Sequence, residues 1–192
     1  FEQWMLRELR TAFRAAQVVS LLIVDLDGMK TINDTGGHLA GDQALAVVGK
    51  CLRDAVRTSD VVGRYGGDEF AIMLPQTPQA GALRVANRIL QLVSDKVVDG
   101  QSGPLPVKIS IGLAVLEPPA VQSPAEAVRP TNQLFFHNVA KALFQRADEA
   151  LYQSKHDGGG RLSRGGTLQW ADVHQPEGNT TTIPPSGSGK AS

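Results

Sequence analysis

Apolar residues recur every three or four positions from Phe1 through Met5, Leu9 and Phe13 to Ala16, the spacing of an amphipathic helix. Val18 to Leu26 is a dense run of β-branched residues and leucine that ends in acids, which predicts a buried strand. Helical spacing returns from His38 to Arg57, with Leu45, Val48, Leu52 and Val56 on one face. Asp60 to Tyr65 and Glu69 to Leu74 flank Gly66-Gly67, and two short strands around a glycine pair predict a β-hairpin. Ala82 to Val93 is helical again. From Val107 to Val115 apolar residues alternate with Lys108, Ser110, Gly112 and Ala114, the period of a half-buried strand. Glu117 to Pro130 holds four prolines and reads as a loop, and Asn132 to Lys155 as one long helix with Phe136, Val139, Leu143, Ala147 and Leu151 in its stripe.

Beyond about Gly158 glycine, proline, serine and threonine take over and the apolar period is lost. A folded domain is therefore expected over residues 1–166 and a flexible tail over 167–192. Alternating helices and strands predict an α/β fold, a mixed central sheet flanked by helices.

Composition narrows the partners. Lys and Arg number 19, and so do Asp and Glu, so no general pull toward nucleic acid or anionic membrane is expected and any phosphate chemistry must be local. No apolar run approaches the roughly 20 residues of a membrane span. The single cysteine, Cys51, lies in an apolar helical pattern and reads as a buried thiol, which agrees with a reducing, cytoplasmic setting. Phe1 already stands inside a helical pattern, as in a fragment of a longer protein, and an anchor upstream is compatible with that.

Chemistry concentrates at two strand ends. Asp25 and Asp27, two positions apart on a strand, point the same way, and hard oxygen ligands suit Mg²⁺. Alone, the pair reads better as a polar strand end before a loop. Asp68 and Glu69 at the hairpin tip change that weighting, because four acids at adjacent strand ends repel unless a cation lies among them. Between the strands, Lys30 offers a point charge to a phosphate. Asn33 and Asp42 suit the donor and acceptor edge of guanine, and an acid there rejects adenine. Taken singly, Asn33-Asp34 also reads as an Asx turn and His38 as a helix-start residue.

Asp25-Leu26-Asp27, Lys30-x-Ile32-Asn33-Asp34, Gly37-His38-x-x-Gly41-Asp42, Arg64-Tyr65-Gly66-Gly67-Asp68-Glu69-Phe70, Ser110-Ile111-Gly112 and Ala147-Asp148-x-Ala150-Leu151-Tyr152-x-x-Lys155 stand in this order along the chain. Together, over about Phe1 to Leu162, they resemble the GGDEF family of diguanylate cyclases. The resemblance implies a palm-like fold shared with nucleotidyl cyclases and polymerases. It also implies condensation of two GTP into cyclic di-GMP with release of two pyrophosphates, by two copies of the domain meeting face to face as a homodimer. It assigns Asp25, Asp68 and the Leu26 carbonyl to Mg²⁺ or Mn²⁺, two ions per site, and makes Glu69 the essential acid. By the same resemblance Asn33 and Asp42 read guanine, Lys30 and Lys155 hold the β- and γ-phosphates, and Gly66 and Gly67 let the hairpin pass over the nucleotide. Arg57-Thr58-Ser59-Asp60 resembles the family's inhibitory product site, an Arg-x-x-Asp five residues before the glycine pair, with Arg88 as a further member.

The chain departs from the family pattern in places. An Asp-x-Leu-Thr-Gly-Leu-x-Asn-Arg segment usually precedes the point where it starts. Met29 stands where an aromatic is usual and Gly159 where an arginine is, and the loop from Glu117 to Gln133 looks long. Two other readings compete: a module that binds GTP or cyclic di-GMP without turning it over, and a palm-fold cyclase that acts on a single nucleotide.

Overall fold

A computed structural model describes residues 1–101, 103–118 and 133–173. The elements, in chain order, are α1 (Glu2–Arg14), β1 (Val19–Leu26), α2 (Met29–Asp54), β2 (Val61–Arg64), β3 (Glu69–Pro75), α3 (Gln79–Ser94), β4 (Val97–Gly100), β5 (Gly103–Pro106), β6 (Ile109–Leu116), α4 (Gln133–His156) and β7 (Leu162–Leu168). A single 3₁₀ turn follows at Trp170–Asp172. The main sheet runs β2-β3-β1-β6-β7, and β4 and β5 pair separately. β1 is antiparallel to both β3 and β6, whereas β6 and β7 are parallel. The sheet is therefore mixed and flanked by helices, as the alternating pattern predicts.

Its two faces are covered differently. Leu22, Val24 and Leu26 of β1 join Ile109, Ile111 and Leu113 of β6 under α2 and α3. Val19, Leu21 and Ile23 join Ala114, Leu143, Ala147 and Leu151 under α1 and α4. This corrects the reading of β6 as half-buried: every residue of it is buried. Ser110, Gly112 and Ala114 are small because a helix lies on them, not because they face water. A Cβ on Gly112 would stand 2.0 Å from the Ala147 carbonyl oxygen, so only glycine admits α4 this close. That approach carries the end of α4 toward the end of β1.

Three elements depart from the sequence pattern. α2 begins at Met29, nine residues before the expected start at His38, and breaks at Gly37 (φ 80°, ψ 169°). Buried Ile32 fastens its first segment to the core. The β4–β5 hairpin fills a stretch without apolar alternation. Gly166, the expected last residue of the domain, lies inside β7, and Leu168, Trp170 and Val173 are buried beyond it. The Trp170 ring lies 4.9 Å from that of Phe13 and packs against Phe135 and Phe136. The remainder of the predicted tail, and nearly all of the proline-containing loop, fall outside the described residues.

Candidate active site

The ends of β1 and β3 bring the acids together. Asp25 pairs in register with Glu69 on one side and Ser110 on the other. The Leu26 N–H donates to the Asp68 carbonyl at 3.2 Å. The hairpin turn itself spans Tyr65 to Asp68, and the Tyr65 and Gly66 N–H groups both donate to the Glu69 carbonyl. Arg64 braces this turn, its guanidinium donating to the carbonyls of Gly66 and Gly67. Tyr65 tilts against Phe144 of α4, ring centroids 4.8 Å apart. The motif reading gave Arg64 no role although it stands in the motif, and it missed Phe144, which lies 79 positions from Tyr65.

Asp25 is only 4% exposed. Lys155, from the last turn of α4, places Nζ 2.8 Å from its Oδ2. Burial pushes the Asp25 carboxyl above the ordinary carboxylate range. The Lys155 hydrogen bond and charge pull it back, while the negative charges of Asp68 and Glu69 add to the upward push. Asp25 thus lies between one paired amine and the negative charges of two further acids. Among the described residues, no three acidic, histidine or cysteine side chains converge as a ready-made cation cage. Mg²⁺ ordinarily takes only one or two carboxylates and fills its shell with water and substrate phosphate. A buried carboxylate with surplus negative charge beside it fits that smaller contribution.

Asp27 is placed differently from the expectation that it points at the same cation as Asp25. Both its oxygens accept from Ser110 Oγ, at 2.8 and 3.0 Å, and Oδ2 also accepts from the Gly160 N–H at 2.8 Å.

Asn33 lies in the first segment of α2, half-buried against Gly41 beyond the kink. A Cβ on Gly41 would fall 2.1 Å from Asn33 Oδ1, so glycine makes room for this amide. Oδ1 is buried and has no hydrogen-bond partner among the described residues. Asp42 follows, exposed, and Lys30 is exposed in the first turn of α2. The free N–H groups of that turn come two residues after the acid-bearing end of β1, a placement that favours anions.

Arg57, Asp60 and Arg88 gather at the other end of α2. The Arg57 N–H donates to Asp60 Oδ2 at 2.8 Å, and the Asp60 N–H to the Arg57 carbonyl at 3.0 Å. The Arg88 guanidinium donates to the Ala55 carbonyl.

Residues 1–161 match the family described as diguanylate cyclase, GGDEF domain. The chain belongs to the GGDEF family. Among curated relatives, diguanylate cyclase A of Treponema denticola is 36% identical over 147 residues, which cover 77% of this chain and 35% of that protein. The GGDEF domain of PA1120 (TpbB or YfiN) from Pseudomonas aeruginosa superposes with a TM-score of 0.68 at 32% identity, covering 86% of this chain and 87% of that one. The GGDEF domain of DgcB from Caulobacter crescentus, solved in complex with c-di-GMP, superposes with a TM-score of 0.67 at 26% identity, covering 86% and 88%. The chain spans about a third of the length of the curated relatives it matches. The packed segment from Leu162 to Val173 runs past the family match. Among the described residues, no helix is long and apolar enough to cross a membrane.

Proposed function

We propose that this GGDEF domain condenses two GTP molecules into cyclic di-GMP and releases two pyrophosphates. One observation carries the reading: buried Asp25, flanked by Asp68 and Glu69 at adjacent strand ends, is held 2.8 Å from the only amine paired with it among the described residues. Asp25, Asp68 and the Leu26 carbonyl would hold Mg²⁺ or Mn²⁺. Such an ion lowers the pKa of a bound hydroxyl and neutralises charge on phosphate oxygens.

The chain's own residues do the rest. Asn33 Oδ1 and the Asp42 carboxylate accept from the guanine N1 and N2 donors, which adenine lacks. Lys30, Lys155 and the first N–H groups of α2 hold the β- and γ-phosphates. Gly66 and Gly67, braced by Arg64, let the hairpin lie close under the nucleotide. Glu69 lies beside the 3′-hydroxyl that attacks the α-phosphorus of the second GTP. That GTP arrives on a second copy of the domain, so the working unit is a homodimer. Positioning and charge neutralisation then supply most of the rate. Arg57, Asp60 and Arg88 form a separate site for the product, whose guanine and phosphate groups suit an Arg-x-x-Asp pair; that a GGDEF domain, the one of DgcB, has been solved in complex with c-di-GMP supports binding of the product by this fold.

A second reading draws on Gly159, which replaces an expected phosphate-facing arginine: a domain that binds the nucleotide and turns it over poorly. Incubation with GTP and Mg²⁺, with products identified by mass, separates the two. Cyclic di-GMP and pyrophosphate in a 1:2 ratio support condensation. GTP recovered intact from a domain that binds it supports the second reading, and a linear or mononucleotide product overturns both.

A further inference from the structure

The second acid of the Asp-x-Asp pair takes its hydrogen bonds from outside the cluster of Asp25, Asp68 and Glu69. Asp27 leaves the end of β1 and fastens two other elements. Its backbone N–H donates to the Lys108 carbonyl at 2.9 Å, which ties it to the segment entering β6. Its carboxylate takes the Ser110 hydroxyl, on β6, and the Gly160 N–H, in the turn between α4 and β7. Ser110 is fully buried and Asp27 is half-buried.

The glycine turn is shaped to reach Asp27. Gly158, Gly159 and Gly160 have φ of 103°, 68° and 64° in succession, a run of left-handed residues that side chains oppose. A Cβ on Gly159 would stand 3.0 Å from Asp27 Oδ2. The turn is also tied to the end of α4: the Gly159 N–H donates to the Ser154 carbonyl at 3.1 Å, and Ser154 Oγ to the Arg161 carbonyl at 2.6 Å. Lys155 follows Ser154 directly. The direction in which Lys155 leaves α4 is therefore set by a turn whose anchor on β1 is Asp27.

We propose that Asp27 is a positioning residue for Lys155, fixing the amine over the phosphate site, and that it does not ligate the metal. This rests on the reading of Asp25 and Lys155 given under Proposed function. The donor to Asp27 is the backbone N–H of Gly160, one residue after the position where the family pattern has an arginine, so the anchor is built from main chain.

Equilibrium binding of α,β-methylene GTP, with Mn²⁺ titrated separately, tests this on the whole chain. The variants are Asp27→Ala, Lys155→Ala, the double variant, and Ser110→Ala, with circular dichroism to establish folding. Asp27→Ala is expected to weaken analogue binding about tenfold, the scale of one charge-assisted contact, while Mn²⁺ binding in the absence of nucleotide is kept, at an affinity no lower than the unaltered chain's. The double variant is expected to bind no more weakly than Lys155→Ala alone, because Asp27 acts through that amine. Ser110→Ala, which removes one of Asp27's partners, is expected to show the same defect in weaker form. If Asp27→Ala does not fold, Asp27→Asn and its double with Lys155→Ala take its place. Additive losses in the double variant, or loss of Mn²⁺ binding with Asp27, overturn the proposal while the nucleotide site stands. Failure of the unaltered chain to bind the analogue overturns both.

Discussion

Lys155 and Asp25 form an ion pair of 2.8 Å in which the acid is buried and the amine remains close to half exposed. The lysine therefore neutralises a carboxylate that a divalent cation would otherwise neutralise. A divalent cation at Asp25 would compete with the amine for one charge and would leave the amine free for phosphate. In Lys155→Met, the domain without nucleotide is expected to bind Mn²⁺ more tightly than the unaltered chain at pH 8, while its affinity for α,β-methylene GTP falls. Titration calorimetry with each ligand measures both. Equal or weaker Mn²⁺ binding would show that the pair does not compete with the metal.

Glu69 contributes to this site without filling the core. Glu69→Gln keeps the shape and removes the charge. It is expected to lower product formation by at least about a hundredfold, as loss of a positioned acid or base does, with the melting temperature within about 2 °C of the unaltered chain's. Unchanged turnover would remove Glu69 from the mechanism.

Asp25 carries a thermodynamic burden. Its folded carboxyl holds a proton more tightly than the unfolded chain does, because burial raises its pKa. Its contribution to stability is complete below the ordinary carboxylate pKa and is lost as pH rises through the raised folded value. At neutral pH the ionised group opposes folding. Asp25→Asn is expected to raise the melting temperature by a few degrees at pH 7.5, with the difference shrinking near pH 4, and to abolish turnover. Scanning calorimetry of both proteins across that range decides it; a lower melting temperature at pH 7.5 would mean that the Lys155 pair outweighs the cost of burial.

Leu168, Trp170 and Val173 extend the core under α1 and α4. Truncation after Val173 is expected to leave the melting temperature unchanged, given the Gly, Pro, Ser and Thr content of residues 174–192. Trp170→Ala is expected to cost about 3 kcal/mol. Urea denaturation of the three proteins provides the comparison, and a Trp170→Ala midpoint equal to that of the unaltered chain would show that the ring seals nothing.

Arg57 and Asp60 can be tested without turnover. Calorimetric titration of cyclic di-GMP into the unaltered chain and into Arg57→Ala is expected to show a loss of about two decades in affinity, the scale of lost charge-assisted bonds. Equal affinities would return Arg57 to an ordinary helix-end charge.

The strand ends and the hairpin were legible because their signals are local: a β-branched run closing on acids, and two glycines between apolar segments. What escaped depends on distance. Asp27 reads as a twin of Asp25 until its partners Ser110 and Gly160 are known, 83 and 133 positions away. The first segment of α2 holds Asn33, Asp34, Thr35 and two glycines, which favour turns, and the burial of Ile32, with Met29 packed on the same core, fastens it as helix. β7 contains Gly165 and Gly166 and is held as an edge strand by its pairing with β6. β4 and β5 are four residues each, with two prolines in β5, too short and too irregular for a period to show.

The first strand of the chain is also the middle strand of the sheet. As the chain emerges from a ribosome, β1 appears with its acids already aligned, but with neither neighbour in place. β3 closes one flank soon after, and β6 the other. The anchor that Asp27 needs is made 133 positions later, about 7 to 27 seconds at ordinary elongation rates of roughly 5–20 residues per second. Through that interval a nascent domain holds the carboxylates of its site without the lysine that balances them. A translation product that ends between Lys155 and the glycine turn would carry every GGDEF motif residue and lack the Gly160 donor of Asp27.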